Sequence, residues 1–259
     1  MSITQFFDCN TWIGMPANGA LFKPDNAESL LAAMDRAGIS RAVVWHISQL
    51  DADPITGDAL LAKAIASHAR LFGSWTILPT QTGETDDPDE WMNRAYDARV
   101  RVLRAFPGVN RYLLRAEVVG DILSVAVRRR FPLMLSMTRG AGGALIPKQW
   151  EDVYDLLAEF PDLTVILGDL RIWPEDRYFR PLIEKYPRTF VETGSYLADG
   201  GIESFVERYG ASRMLFGSGY PDCYHGSSML NLAHAEISGA DKAAIGSGNM
   251  ERLLSEVRR

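Results

Sequence analysis

Eight short apolar runs recur along the chain, and each is followed by a stretch with helical periodicity. Runs that are apolar throughout, and do not alternate with polar residues, are typical of parallel strands buried on both faces. The predicted strands are 6–14, 42–46, 71–78, 100–106, 132–137, 163–169, 189–193 and 214–219. Eight strand–helix units within about 250 residues are typical of a closed (β/α)8 TIM barrel, so we predict this α/β fold.

Composition narrows the class of protein. The 259 residues contain no linker-like stretch, so we expect one domain over residues 1–259. A net charge of −6 disfavours a nucleic-acid or anionic-membrane partner. Two distant cysteines suggest neither a disulfide framework nor a zinc motif, and we find no signal peptide and no apolar membrane span. We expect a cytoplasmic protein with a small-molecule ligand, and the composition is compatible with a homo-oligomer.

The first predicted strand ends in polar side chains. Side chains alternate between the two faces of a strand, which predicts that Asp8, Asn10 and Trp12 share one face and that Cys9 lies on the other. A carboxylate, an amide and an indole do not form a hydrophobic core. We therefore predict that these three residues form the floor of a site, whereas Cys9 belongs to the core.

In barrels of this type the chemistry lies at the C-terminal ends of the strands. Polar and aromatic residues stand at these ends in every predicted strand. They are Asp8, Asn10, Trp12, His46, Trp75, Arg104, Ser136, Arg139, Asp169, Arg171, Glu192, Thr193, Ser218 and Tyr220. Gly219 also stands at the end of the last strand. The set contains charged groups of both signs and one histidine.

Six segments resemble the amidohydrolase superfamily, in the branch of metal-dependent hydrolases and decarboxylases related to aminocarboxymuconate-semialdehyde decarboxylase. The segments are FDCNTWIG (7–14), MDRAGI (34–39), FPLMLS (131–136), PDLTVILGD (161–169), RMLFGSGYP (213–221) and GNMERLL (248–254). Their order and spacing extend the resemblance over almost the whole chain. The resemblance implies a TIM barrel that acts on small molecules.

The sequence departs from this family at the metal ligands. Family members carry a His-x-His pair on strand one, a His at the ends of strands five and six, and an Asp at the end of strand eight. The corresponding positions here are Asn10 and Trp12, Ser136, Asp169 and Gly219. An indole cannot bind a metal ion, and amide or hydroxyl oxygens are weak ligands for zinc. We therefore predict no metal site, and we expect no other cofactor.

Three residues are candidate catalytic groups. Asp169 is either a general base or the partner of an arginine that closes the barrel rim. Asp8 is either a second catalytic carboxylate or a support behind the site. His46 either contacts the ligand or is a hydrogen-bonded histidine of the core or rim.

Six residues are candidate substrate-binding groups: Asn10, Trp12, Arg104, Ser136, Arg139 and Tyr220. Arg104 stands on a buried strand, so its guanidinium needs a partner, which is either an aspartate of the site or a substrate carboxylate. Trp12 either fills the volume of the missing metal site or stacks on a substrate ring.

The residues leave three functions open. One is a metal-independent hydrolase or lyase for a small carboxylate or lactone, which uses Asp169 or Asp8 together with Arg104. Another is a non-catalytic protein that binds small molecules on the same barrel. The third is an enzyme with a phosphate ligand, because glycine-containing turns at 193–195 and 217–219 follow strands seven and eight.

Overall fold

The computed structural model describes residues 5–17, 24–136, 147–170, 175–194 and 196–259. Within them, parallel strands form one eight-stranded sheet in sequence order. The strands are β1 (Phe6–Ile13), β2 (Ile39–His46), β3 (Leu71–Thr76), β4 (Val100–Ala105), β5 (Leu133–Ser136), β6 (Val165–Gly168), β7 (Thr189–Glu192) and β8 (Met214–Leu215). The predicted (β/α)8 barrel is confirmed.

Main-chain hydrogen bonds close the sheet between β8 and β1. The N–H of Cys9 donates to the carbonyl of Phe216 at 2.9 Å, and the N–H of Trp12 donates to the carbonyl of Tyr220 at 3.1 Å. Pairing with β1 therefore continues past the short β8, along the predicted strand 214–219. Because the barrel is closed, no strand edge is left for a foreign strand to join.

Helices alternate with the strands. They are α1 (Ala27–Ala37), α2 (Ser48–Asp51), α3 (Pro54–Ile65), α4 (Pro88–Asp97), α5 (Pro107–Asn110), α6 (Ala116–Arg129), α7 (Pro147–Glu159), α8 (Asp176–Lys185), α9 (Gly201–Tyr209), α10 (His225–His234), α11 (Gly239–Ala243) and α12 (Asn249–Glu256). Local sequence sets their ends: α1 follows Asn26, which accepts from the N–H of Ser29, and stops at Gly38 with φ of 75°. Across the described ranges, no helix has the length and apolar character to cross a membrane.

Apolar side chains form two layers. The outer layer lies between the strands and the helices. The inner layer fills the barrel with residues from seven strands: Phe7, Cys9, Val43, Val102, Met134, Ile166, Phe190 and Leu215. Met250, Leu253 and Leu254 of α12 pack against this inner layer, so the C-terminal helix covers the N-terminal end of the barrel. Burying each of these large side chains stabilises the fold by about 1.5–3 kcal/mol.

The alternation of β1 is interrupted, so the predicted faces of its residues are only partly right: Cys9 belongs to the core as predicted, but it packs inside the barrel. Pairing with β2 shifts between Asp8 and Thr11, where three steps along β1 match two along β2. Such an extra residue is a β-bulge, which changes the face on which the following side chains lie. Phe7 and Cys9 alternate in the usual way and both pack in the inner layer, and the extra residue brings Asn10 to the same side of the sheet, so Asp8 and Asn10 do not share a face as predicted.

Candidate active site: a buried polar layer inside the barrel

Five polar side chains form a layer inside the barrel, directly C-terminal to the inner apolar layer. We call them the polar layer: Asn10, Arg104, Ser136, Asp169 and Glu192. Each lies on a different strand or just after one, and each is at least nine-tenths buried. Because buried polar groups cost free energy unless they are hydrogen-bonded, this layer exists only if its members satisfy one another.

Arg104 is the centre of the polar layer. Its Nη1 donates to Oγ of Ser136 at 2.7 Å, and its Nη2 donates to Oδ1 of Asn10 at 2.9 Å. The side chain is 0% exposed, and its Cζ lies 5.1 Å from the ring centroid of Trp45. An arginine stays charged in proteins, so the barrel contains a fixed positive charge at this level.

Asp169 is the carboxylate nearest to this charge. Its Oδ1 accepts from Nδ2 of Asn10 at 2.9 Å, and its Oδ2 lies 3.9 Å from Nη1 of Arg104, which is an ion-pair distance but longer than a hydrogen bond. Asn10 therefore links the aspartate to the arginine, since its amide donates to one and accepts from the other.

Glu192 is a second buried carboxyl group behind Asp169. Its Oε2 accepts from the backbone N–H of Asp169 at 3.1 Å, and its Oε1 accepts from the N–H of Gly194 at 2.7 Å. Desolvation, followed by repulsion from Asp169, raises the pKa of Glu192 to about 7. The sequence placed Glu192 among the strand-end residues without a role; the available signal was a glutamate that ends an apolar strand two residues before a glycine.

Asp8 has a different position from Asn10. Its Oδ1 accepts from the N–H of Asn10 at 3.0 Å and from the N–H of Ser218 at 2.9 Å, and the hydroxyl of Ser218 donates to its Oδ2. Burial raises the pKa of Asp8 to about 6, against the lowering effect of these hydrogen bonds. Asp8 thus links β1 to the segment after β8. Of the two alternatives stated for Asp8, this position matches a support behind the site.

An aromatic cluster covers the arginine from the C-terminal side of the barrel. We call Trp12, Trp45 and Phe106 the aromatic cap. The rings of Trp12 and Trp45 are 6.0 Å apart, and those of Trp45 and Phe106 are 5.3 Å apart. Nε1 of Trp12 donates to Oδ2 of Asp222 at 3.0 Å, so its polar edge is satisfied away from the arginine. The cap explains why Arg104 is sealed from solvent.

Solvent reaches the polar layer at one edge. Ser136 is 9% exposed and Asp169 is 6% exposed, whereas the other three members are at or below 1%. These two residues stand at the ends of neighbouring strands, β5 and β6. The β5–β6 edge is therefore the least buried part of the polar layer.

His46 lies apart from the contacts that define the polar layer. It alternates with Trp45 and so faces the other side of β2, where its Nδ1 accepts from the N–H of Ser48 at 3.2 Å. Desolvation lowers the pKa of His46, which favours the neutral imidazole. Of the two alternatives stated for His46, this position matches a hydrogen-bonded histidine of the core or rim.

Tyr220 is also placed elsewhere. Its ring packs with the outer apolar layer and stacks on His225, with ring centroids 4.0 Å apart. It lines a cavity of about 550 Å³ formed by α1 and residues 220–225. The predicted substrate-binding residue Arg139 lies outside the described residues, as does Arg171.

The residues at the family's metal-ligand positions do not fit a divalent metal ion. Arg104 lies 2.9 Å from Asn10, 2.7 Å from Ser136 and 3.9 Å from Asp169, so a guanidinium contacts three of these positions. At the fourth, the indole of Trp12 donates a hydrogen bond and offers no lone pair to a cation. A cation placed among these groups would be repelled by the arginine.

The wider donor set leads to the same conclusion. Across the described ranges, no group of three or more His, Cys, Asp or Glu side chains is arranged to hold a metal ion. Gly219, at the fifth ligand position, has no side chain.

The glycine turns considered for phosphate are used by the protein itself. The N–H of Gly194 donates to Glu192, the N–H of Ser218 donates to Asp8, and the N–H of Gly217 approaches Oγ1 of Thr193 at 3.4 Å. These are the N–H groups that a phosphate at these turns would need. Two of them already bind buried carboxyl groups.

Comparison with solved structures shows the same fold at low sequence identity. An uncharacterized TIM-barrel protein from Bordetella bronchiseptica superposes with a TM-score of 0.74 at 20% identity, over 97% of this chain and 99% of that one. A 5-carboxyvanillate decarboxylase from Novosphingobium aromaticivorans, solved with manganese, gives 0.72 at 14%, over 96% and 97%. A probable 2-pyrone-4,6-dicarboxylic acid hydrolase from Acinetobacter baumannii, solved with citric acid, gives 0.70 at 14%, over 96% and 99%.

Sequence comparison supplies the family. A search of curated proteins finds no significant match. The family model described as Amidohydrolase, however, matches residues 10–255, which is nearly the whole chain. This protein therefore belongs to the amidohydrolase family.

Proposed function

We propose that this protein is a hydrolase that acts, without a metal ion, on a small carboxylate or lactone at the β5–β6 edge of the polar layer. The observation that supports it is the position of Arg104, which contacts three of the family's ligand positions and lies beside a solvent-accessible carboxylate, Asp169. A fixed positive charge in a buried site can stabilise the negative charge that develops on a reacting carbonyl oxygen.

Each member of the polar layer has a part in this reaction. Asp169 accepts a proton from the water that attacks the carbonyl carbon of the lactone, and when the ring C–O bond then breaks, Asp169 returns this proton to the leaving oxygen. The Oγ of Ser136 accepts from Arg104, which leaves its own O–H free to donate to the carbonyl oxygen. Arg104 is fully buried, so it acts on the substrate through Ser136. Asn10 fixes the direction of the Asp169 carboxylate.

The similar structures named as acting on small acids support the substrate class. One is named as a decarboxylase of an aromatic acid and another as a probable hydrolase of a dicarboxylic pyrone. A lyase reaction on a small carboxylate therefore remains within the proposal, with Asp169 as the group that exchanges the proton. The alternative is a non-catalytic binding protein, which is favoured by the fact that the polar side chains already bind one another.

The test is a substrate screen on protein treated with a chelator and shown by elemental analysis to be metal-free. Small lactones and hydroxybenzoates are followed by proton NMR for hydrolysis and for loss of CO2. Asp169→Asn should reduce turnover at least about 100-fold, the usual contribution of a general base. Thr189→Val is the matched control, because it removes a buried hydroxyl at the other end of β7 that has no hydrogen-bond partner in the structure.

The outcomes separate the candidates. Turnover by the metal-free protein that is lost in Asp169→Asn supports the hydrolase or lyase. Ligand binding without turnover, unchanged in Asp169→Asn, supports the binding protein. Turnover that appears only when a divalent metal is added back would overturn the proposal.

A further inference from the structure

The backbone at Asp169 has a conformation that few residues other than glycine adopt. Its φ is +54°, in the left-handed region that residues other than glycine rarely adopt. The residue directly follows β6, where the chain turns out of the sheet. A left-handed backbone at a non-glycine residue persists only where neighbouring groups hold it.

The carboxyl group of Glu192 is the neighbour that binds this backbone. Its Oε2 accepts from the N–H of Asp169, and its Oε1 accepts from the N–H of Gly194. One carboxyl group therefore links the ends of two adjacent strands, β6 and β7. Both hydrogen bonds lie where Glu192 is 1% exposed, so water does not compete for them.

Glycines form a close-fitting space for this carboxyl group. A Cβ atom built at Gly194 would lie 2.1 Å from Oε1 of Glu192, and one built at Gly217 would lie 2.2 Å from it. A Cβ at Gly168 would lie 3.6 Å from Oε2. Any other residue at 194 or 217 would displace the carboxyl group, so the glycines at the ends of three strands fit the glutamate.

We propose that Glu192 is a positioning residue for Asp169: by holding the backbone N–H of Asp169, it fixes the left-handed turn that directs the Asp169 carboxylate to Asn10 and Arg104. This inference rests on the proposed function for its catalytic meaning, because the group that is positioned is the proposed base. The hydrogen bond between Glu192 and the backbone of Asp169, however, does not depend on any substrate.

The surroundings of Glu192 make the pair sensitive to pH. The titratable groups that interact with it are Asp169 after β6 and Asp8 and Cys9 on β1, and Arg104 on β4 lies 3.9 Å from Asp169. Burial and the negative charge of Asp169 raise the pKa of Glu192 to about 7. Near neutral pH, Glu192 therefore gains or loses a proton while it holds the Asp169 backbone.

The experiment is a carbon-13 NMR titration of the side-chain carboxyl groups in the full-length protein, labelled at aspartate and glutamate. Glu192→Gln keeps the size of the side chain but places an amide N–H2 opposite one of the two backbone N–H groups, so one hydrogen bond is lost. We expect the Asp169 resonance to move in this variant. In Asp169→Asn the Glu192 midpoint should fall by about one pH unit, because a neighbouring negative charge is removed.

Thr189→Val is the control on the same strand and should leave both resonances unchanged. The Asp169→Asn titration is read on Glu192 itself, so it decides the question even if Glu192→Gln folds poorly. An Asp169 resonance that is the same in Glu192→Gln as in the wild type, or a Glu192 midpoint unaffected by Asp169→Asn, would overturn the inference.

Activity adds a separate measurement. For any substrate found in the screen, the wild-type profile of kcat/KM against pH should show an inflection near pH 7 that Glu192→Gln lacks, with KM unchanged. If no substrate is turned over, the proposed function fails while the titration still decides the pairing. If turnover depends on Asp169 but the inflection persists in Glu192→Gln, the pairing fails and the proposed function stands.

Discussion

Two sectors of the barrel carry different kinds of side chain at their strand ends, apolar in one and polar in the other. On β1, β2 and the end of β4, the aromatic cap of Trp12, Trp45 and Phe106 fills the space above the arginine. On β5 to β7, the corresponding positions carry Ser136, Asp169 and Glu192, and solvent reaches the first two. The comparison shows that apolar side chains fill one sector of the barrel mouth, whereas the other sector keeps polar side chains around the buried guanidinium of Arg104.

Arg104 joins the two sectors, and its replacement should have the largest effect. In Arg104→Met the apolar side chain fits against the cap, but Asp169 and Asn10 lose their buried partner. Removing one member of a buried pair costs about 3–5 kcal/mol of the free energy of unfolding. Urea unfolding measures this, and binding of any identified carboxylate ligand should be abolished. Stability within 1 kcal/mol of wild type, with affinity unchanged, would show that the sectors do not share this charge.

The pH dependence of the free energy of unfolding should reflect the ionisation of Glu192 in the polar sector. The pKa of Glu192 is raised from 4.5 to about 7, so the folded state holds its proton more tightly than the unfolded state. The contribution of Glu192 to the free energy of unfolding is therefore greatest at low pH and falls by about 3 kcal/mol as the pH rises from about 4.5 to about 7.

The pKa of Asp8, raised from 3.8 to about 6, acts in the same direction over a lower window. Unfolding free energies measured from pH 4 to pH 8 give the slope, and Glu192→Gln should reduce it between pH 5 and 7. A variant with the wild-type slope would assign the dependence to other groups.

Glycine replacement should separate the polar sector from the helical layer. Gly217→Ala places a Cβ 2.2 Å from Oε1 of Glu192, so overpacking should cost about 1–3 kcal/mol. The matched control is Gly120→Ala in the interior of α6, where the nearest atom is a Phe160 ring carbon at 3.4 Å. There alanine should be neutral or stabilise the helix by up to about 1 kcal/mol. Equal effects at the two sites would contradict the account of the glycine-lined space.

The smallest effect is expected in the aromatic cap. Trp12→Phe keeps a ring beside Trp45 but loses the hydrogen bond from Nε1 to Asp222. Thermal and urea unfolding should show a loss of about 1 kcal/mol. Activity of the open sector should be almost unchanged, because Trp12 lies on the sealed side. A large loss of turnover with little loss of stability would instead assign Trp12 to substrate stacking.

Much of this architecture follows from sequence. Apolar strands with intervening helices give the barrel, since the periodicity reports burial on both faces. The interior position of Arg104 follows from its place between two apolar neighbours on β4. The departures at Asn10, Trp12, Ser136, Asp169 and Gly219 are also visible in the sequence.

The remaining features depend on local backbone geometry. The bulge that brings Asn10 to the same side as Cys9 adds one residue to β1, and nothing in FDCNTWIG marks where an extra residue is absorbed. The outward face of His46 depends on the register of β2, and the Tyr220 ring enters the outer layer after β8 has ended. The role of Glu192 was not predicted, because the space for its carboxyl group is formed by glycines at the ends of three different strands.

The central claim is that the guanidinium of Arg104 takes the position that a metal ion would otherwise occupy. Crystals grown with excess manganese, measured at the manganese absorption edge, test it most directly. The account predicts no anomalous density among Asn10, Ser136 and Asp169, with Nη1 of Arg104 still within hydrogen-bond distance of Ser136, as in the 2.7 Å contact described here. A stoichiometric manganese peak bound by these three residues, with Arg104 displaced, would contradict it.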